Sequence, residues 1–299
     1  MKVILAGGSG LVGTALTASL LTDACDVVVL SRSPGGPEGA RVVIWDGKGL
    51  GEWAREVDGA DAVVNLSGYP LFSRWHARTR DLILSSRVDS TRALGEALAA
   101  ADKPPPVWVN LSAVGFYGDT GSRLVEESSP PGEGVMADVC ARWEQACLDA
   151  PAPGTRKVLA RMGVVLSRHG GAFRPLRLLA KCFLGGHLGN GRQGMSWVHE
   201  EDAVGILRLA IDQRLEGPVN VVAPHPVSHR EFMATLRKVV HRPWSPPVPR
   251  FAVRLAGAFG APPADILLGG QYVVPGVAWQ TGYAFLHPDL EGALRSLDP

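Results

Sequence analysis

Four glycines stand in the eight residues AGGSGLVG, Ala6 to Gly13, directly after the apolar run Val3–Ala6. Glycine inside a strand or helix costs roughly 0.5–1 kcal/mol relative to alanine, so such a cluster marks a backbone that turns sharply or comes close to something. Gly7, Gly10 and Gly13 form G-x-x-G-x-x-G between this strand and a helix with apolar residues at helical spacing from Leu11 to Leu21. The spacing predicts a tight turn at Gly7, room for a pyrophosphate at Gly10 and helix-on-strand packing at Gly13, with the helix N-terminus facing the phosphates. Gly8, Ser9, Leu11 and Val12 complete the turn and are candidate cofactor contacts. The competing interpretation is a tight turn that binds nothing. The glycine motif alone is weak, and its position after a strand, before a helix and ahead of further βα units is what confirms it.

The first half of the chain alternates short β-branched runs with longer helical patterns, which predicts a parallel sheet. Strands are expected at Asp26–Leu30, Val42–Trp45, Ala62–Leu66, Val107–Ser112 and Lys157–Val165. Each is short and apolar on both faces, as in a sheet covered by helices. A long helix is expected over Ala77–Ala101, with Leu82, Val88, Leu94 and Leu98 on its core side and the prolines Pro104–Pro106 ending it. A second is expected over Val135–Leu148. After Leu166 glycines, prolines and aromatics break the alternation, although Val219–Val222 still reads as a sheet strand. The expected fold is α/β, a Rossmann-type doubly wound parallel sheet with a smaller carboxy-terminal substrate lobe. Its boundaries are a dinucleotide-binding domain over residues 1–165, rejoined by 199–222, and a substrate side over 166–198 and 223–299.

The end of the second strand, VVVLSRSP, selects the cofactor. A site for NAD places an acidic residue there for the ribose hydroxyls, whereas a site for the 2′-phosphate carries arginine. This chain has Ser31, Arg32 and Ser33. The guanidinium offers a planar fork of donors to a phosphate, and the two hydroxyls add neutral donors. NADP(H) is the expected cofactor, and a solvated surface arginine is the alternative.

Composition excludes other classes. With 30 basic and 29 acidic residues the net charge is +1, which gives no general pull toward nucleic acid or an anionic membrane, and neither is expected as a partner. The first apolar run is too short for a secretory signal or a membrane span, so a cytoplasmic location is the default expectation. Cys25, Cys140, Cys147 and Cys182 show no ligand spacing, and are expected as free, mostly buried thiols with no metal site.

Several further motifs run nearly end to end: NLSG at Asn65–Gly68, RW at Arg74–Trp75, SRVDSTR at Ser86–Arg92, SAVGFYG at Ser112–Gly118, RWEQA at Arg142–Ala146, RMGVVLSRHGGAF at Arg161–Phe173 and GNGRQGMSWVHEEDAVGIL at Gly189–Leu207. In these the chain resembles the extended short-chain dehydrogenase/reductase superfamily, and within it the atypical NADP(H)-linked epimerase-family branch. The resemblance implies a nicotinamide cofactor across the strand ends, with Asn65, Leu66, Ser67 and Gly68 along its path and Ser86 and Arg87 on the flanking helix. Arg161, in the sixth strand, joins the candidate cofactor contacts, and a polar helix face is the other interpretation of Arg87.

The superfamily normally works with a serine and a Y-x-x-x-K pair, the tyrosine exchanging a proton and the lysine lowering its pKa. Aligned through Glu144, this chain has Met136 and Cys140 in those two places, and neither can do that work. Ser112 and Tyr117 remain as candidate catalytic residues, Ser112 also as a candidate cofactor contact, with Tyr117 either a replacement acid or a phenol that satisfies a buried carbonyl. On the substrate side stand Trp75, Arg192, Gln193, Trp197 and His199, where His199 and Asp202 are also suited to capping the helix near Glu200. No second histidine at ligand spacing supports metal binding by His199. The expected function is an NADP(H)-binding oxidoreductase or epimerase-like protein acting on a small molecule. The alternative is a catalytically degenerate redox sensor or scaffold. Phe251–Phe259, FAVRLAGAF, reads as a homodimer face, as a lid, or as a helix closing a core.

Overall fold

The computed structural model describes residues 1–71, 73–76 and 78–298. Along the chain run β1 (Lys2–Ala6), α1 (Leu11–Thr22), β2 (Asp26–Ser31), β3 (Arg41–Ile44), β4 (Ala62–Asn65), α2 (Thr79–Ala100), β5 (Val107–Ala113), β6 (Leu124–Val125), α3 (Val135–Leu148) and β7 (Arg156–Met162). There follow β8 (Val164–Ser167), β9 (Gly170–Gly171), α4 (Phe173–Lys181), β10 (Gly194–Met195), β11 (Trp197–His199), α5 (Glu200–Asp212), β12 (Gly217–Val221), β13 (Val227–Ser228) and α6 (His229–Val239). The chain ends in α7 (Arg250–Ala258), α8 (Ala264–Leu268), β14 (Tyr272–Val273), α9 (Gly276–Gln280) and α10 (Leu290–Leu297). Ala77, the first residue of the expected long helix, lies outside the described residues.

Seven strands form one sheet in the order β12-β7-β5-β4-β1-β2-β3, every neighbouring pair parallel. Val3, Leu5, Val27, Val29 and Val64 face α1 and α5, whose Leu16, Leu20, Ile206 and Leu207 cover them. Ile4, Val28, Val63 and Trp108 face α2, which supplies Ala93, Leu94, Ala97 and Leu98. Burial on both faces is what turns these strands into continuous apolar runs. The chain runs outward from β1 through β2 and β3, then returns to β4 on β1's other side. Parallel sheets bind ligands in the crevice at such a reversal, beyond the carboxyl ends of the strands, here those of β1 and β4.

Two expectations are corrected. The strand expected at Lys157–Val165 breaks at Gly163, because the Gly163 N–H still donates to the Val221 carbonyl of the main sheet whereas the Val164 N–H turns to the Ser196 carbonyl; a Cβ on Gly163 would come within 2.6 Å of that Ser196 oxygen. β8 instead leaves the main sheet and pairs with β11 and β9. On α2 the core side is one residue out of phase at its start: Leu82 is 40% exposed, and Ile83 is buried. Beside the sheet, Phe173, Trp197, Phe232, Leu236, Leu290 and Leu294 form a separate apolar cluster under the carboxy-terminal half. All four cysteines are free, and only Cys182 is exposed.

Candidate functional site

The glycine turn meets the end of β4 in the crevice. Gly7 has φ of +73°, a left-handed conformation, and a Cβ on it would lie 2.9 Å from the backbone of Ser67. Gly13 presses α1 onto the turn itself: its Cβ would be 2.5 Å from Gly8 Cα. Gly10 differs from both. It caps α1 in an extended conformation, and a Cβ there would meet only the Gly7 carbonyl oxygen, at 3.5 Å. Open space therefore lies before the N-terminus of α1, where unpaired N–H groups attract an anion.

Asn65 sets the opposite wall. Its Nδ2 donates to Thr91 Oγ1 and Asn110 Oδ1, and its Oδ1 accepts the Ser67 N–H at 3.1 Å. The residue is fully buried, so it shapes the loop and leaves contact to Leu66, Ser67 and Gly68. The Ser67 hydroxyl is buried beside Gly7 with no hydrogen-bond partner, a group that a ligand in the crevice would satisfy. On α2, Ser86 Oγ accepts the Tyr69 N–H, while Arg87 Nη1 donates to the Tyr69 and Ile83 carbonyls. Arg87 lies across Gly68 with its guanidinium 5.1 Å from the Trp143 ring centroid, and burial lowers its pKa below the ordinary value.

At the far end of β2 the Ser33 N–H donates to Ser31 Oγ, forming a small turn that projects Arg32 outward. Arg32 shares a surface hollow with Trp45, Asp46 and Lys48. Lys48, in the turn DGKG, is a second cation on that rim that the sequence reading did not single out; its signal is a lysine between two glycines just after the third strand.

Ser112, Tyr117 and Arg161 belong to a different structure. All three are buried. Glu144 accepts from Ser112 Oγ at 2.6 Å and from Arg161 Nε and Nη2 at 2.9 Å each. Arg161 Nη1 donates to Tyr117 Oη and to the Glu127 carbonyl, and Tyr117 Oη donates to Asn220 Oδ1 at 2.8 Å. The phenol and the serine hydroxyl are thus engaged inside the protein, and burial raises the Tyr117 pKa. The network clamps β5, α3, β7 and β12 together, with the Ser112 and Tyr117 hydroxyls and the Arg161 guanidinium, the candidates for catalysis and cofactor contact, engaged within it. Tyr117→Phe is therefore expected to cost about 1–3 kcal/mol of stability, because Asn220 and Arg161 each lose a buried partner. Dinucleotide affinity should stay unchanged; denaturant unfolding and a binding titration check both, and an unshifted midpoint would contradict the structural role.

Met136 and Cys140 stand one turn apart on α3, facing Gly115, whose Cβ would be 3.3 Å from Met136 Cβ and 3.6 Å from Cys140 Sγ. Burial pushes the Cys140 thiol up to about 12, so it is neutral at ordinary pH and supplies no charge.

On the substrate side the structure separates the candidates. Trp75 bridges the loop after β4 to the segment after α7, its N–H donating to the Gly260 carbonyl. Arg192 is exposed on the loop containing Gly189 and Gly191, both with positive φ, and Gln193 Nε2 braces that loop through the Leu188 carbonyl. Trp197 is fully buried in the carboxy-terminal cluster with Nε1 donating to the His225 carbonyl, so it is core and not a substrate contact. His199 caps α5, Nδ1 accepting the Glu201 N–H, and Asp202 takes the Leu286 and His287 N–H groups. A second histidine does reach His199, from 88 positions along the chain by its numbering: His287, with ring centroids 3.6 Å apart. The ligating atoms of His199, Glu201 and His287 lie within 4.8 Å of one another. The rings stack, His199 Nε2 faces Ser296 Oγ and His287 Nε2 pairs with Glu201.

Burial holds both His199 and His229 down to about 4, with His287 and His187 adding repulsion. The depressed folded-state values mean their contribution to stability is complete above the unfolded value near 6.5 and is lost as pH falls toward 4. The melting temperature should therefore drop between pH 6.5 and 5, before most carboxylates titrate. His199→Asn with His229→Asn should flatten that decline; equal slopes in the variant and the unmodified protein would contradict it.

Residues 3–223 match the model of the NAD dependent epimerase/dehydratase family, and residues 248–297 match a domain of unknown function. Epimerase family protein MT2273 of Mycobacterium tuberculosis is 40% identical over 98% of this chain and 96% of its own. The crystal structure of human epimerase family protein SDR39U1, isoform 2, with NADPH is similar over 99% of both chains, with TM-score 0.89 and 34% identity. UDP-glucuronic acid 4-epimerase from Bacillus cereus, solved with UDP-glucuronic acid and NAD, shares the fold at 15% identity and TM-score 0.76, over 98% of this chain and 96% of its own.

Proposed function

Because the chain belongs to the NAD dependent epimerase/dehydratase family, we propose that it binds NADP(H) along the crevice and acts on a small molecule held under its carboxy-terminal segments, as an oxidoreductase or epimerase-like enzyme. The observation that carries the choice of cofactor is Arg32, exposed at the carboxyl end of β2 where a selector for the 2′-position stands, with Lys48 on the same rim. The NADPH bound by the human relative supports it. The turn from Gly7 to Gly13 would take the pyrophosphate on the N-terminus of α1, Ser67 would gain a partner for its hydroxyl, and Arg87 would hold its charge beside the sugar or phosphate groups. When bound, the dinucleotide supplies a hydride donor or acceptor. Arg32→Asp is expected to weaken NADPH binding at least about tenfold, or about 1.4 kcal/mol, with little change for NADH. An unaltered NADPH affinity would remove the basis for this reading.

Met136 and Cys140 favour a second reading, a dinucleotide-binding redox sensor or scaffold without turnover, since neither side chain exchanges a proton or supplies a charge at neutral pH. Incubation with NADPH and a library of carbonyl compounds separates the two. Consumption of NADPH with any member supports the enzyme, and tight binding without consumption across the library supports the sensor.

A further inference from the structure

Two long stretches of the chain contain no Asp or Glu: Ala150–His199 and Phe232–Ala264. Both contribute to one exposed, apolar and basic surface. On α7 only Val253 is buried, while Phe251, Leu255 and Phe259 are 72, 58 and 74% exposed. Their i, i+4, i+8 spacing puts them on one stripe, and Arg250 and Arg254, exposed at the same spacing, flank it. Ahead of α7, Trp244 is 72% exposed on a loop stiffened by Pro243, Pro246, Pro247 and Pro249. The end of α4 extends the surface: the Arg242 guanidinium sits 5.3 Å from the ring centroid of exposed Phe183, with Leu184 next to it. A bridge between Leu188 and Val248 ties that segment to the one leading into α7.

We propose that this face docks the protein on an anionic lipid bilayer, with α7 lying in the headgroup plane, Phe251, Leu255 and Phe259 among the acyl chains and Arg250 and Arg254 against the phosphates. The combination of projecting aromatic and aliphatic side chains with flanking arginines on a helix is what an interfacial anchor requires. No described helix is long and apolar enough to cross a membrane, so the attachment is to the surface. A second copy fits less well than an anionic surface, because two-fold self-pairing of this face sets Arg250 and Arg254 against basic residues of the same patch, and the neighbouring α8 offers a single exposed carboxylate, Asp265, to pair them. The net charge of +1 for the whole chain conceals this segregation.

Flotation of the full-length protein with phosphatidylcholine vesicles, with and without about one-third phosphatidylglycerol, tests it. Binding is expected only to the anionic vesicles and should weaken more than about tenfold between roughly 0.05 and 0.5 M salt. Each arginine near such a surface is worth about fivefold, so Arg250→Glu with Arg254→Glu should lose more than about twentyfold. Phe251→Ser with Phe259→Ser should lose a comparable factor, with NADPH affinity unchanged as the check that both variants remain folded. Absence of binding to anionic vesicles at low salt overturns the proposal, as does equal binding to neutral ones. A change of sedimentation mass in the Phe251→Ser, Phe259→Ser variant of a non-binding protein would assign the face to a second copy instead.

Discussion

Arg161→Ala should lower stability by about 3–5 kcal/mol, the cost of leaving a buried carboxylate without its cation. Glu144 is buried and takes two of its three hydrogen bonds from Arg161, at 2.9 Å each. The guanidinium also lies 3.6 Å from the Phe116 ring centroid and donates to the Tyr117 hydroxyl and the Glu127 carbonyl. Removing it therefore strands acceptors on α3, on the turn after β5 and on the segment before α3 together. Arg161→Met with Glu144→Met, which takes away both charges, should recover much of the loss, since a buried pair replaced by apolar groups of similar size is often near neutral. Denaturant midpoints decide it: a loss below about 1 kcal/mol for Arg161→Ala would mean that Glu144 finds water or another donor, and that the network is not the clamp described.

Gly10→Val should abolish dinucleotide binding, a loss of more than about a hundredfold or roughly 3 kcal/mol, in a protein that still folds. The backbone at Gly10 is extended, with φ of −78° and ψ of 176°, and a Cβ would touch nothing nearer than the Gly7 carbonyl oxygen at 3.5 Å. The added side chain would instead fill the space before the free N–H groups of α1. Gly13→Ala provides the contrast. Its Cβ would stand 2.5 Å from Gly8 Cα and 2.6 Å from the Gly8 carbonyl oxygen, so it should disturb the turn and the fold together. Circular dichroism with a NADPH titration on both variants separates the cases, and unchanged affinity in Gly10→Val would place the cofactor elsewhere.

The sheet and the crevice were legible because their signals are local. An apolar run, a glycine turn and an amphipathic helix follow one another within Lys2–Thr22, and Arg32 sits at a fixed place after the next strand. Gly163 was not legible, since nothing in RMGVVLS shows that the Ser196 carbonyl approaches it. The same holds for Ser112 and Tyr117. A serine at a strand end and a tyrosine in FYG have the chemistry of a site, but their partners Glu144 and Asn220 lie 32 and 103 residues away, and only the fold shows that these hydroxyls are occupied. Trp197 and His199 read as substrate-side residues from their polar neighbours in GRQGMSWVHEED. In the strand β11 the alternation of faces and the cap of α5 turn both inward. His287 reaches His199 through the fold alone, a contact that no spacing rule within one helix or strand could anticipate.

Calorimetric titration of the unmodified protein with NADPH and with NADH tests the central claim most directly. The exposed Arg32 and Lys48 on the rim beyond β2, with no acidic side chain in the Ser31-Arg32-Ser33 turn, predict one site that takes NADPH at least about tenfold more tightly than NADH. Equal affinities for the two, or no binding of either, would contradict it.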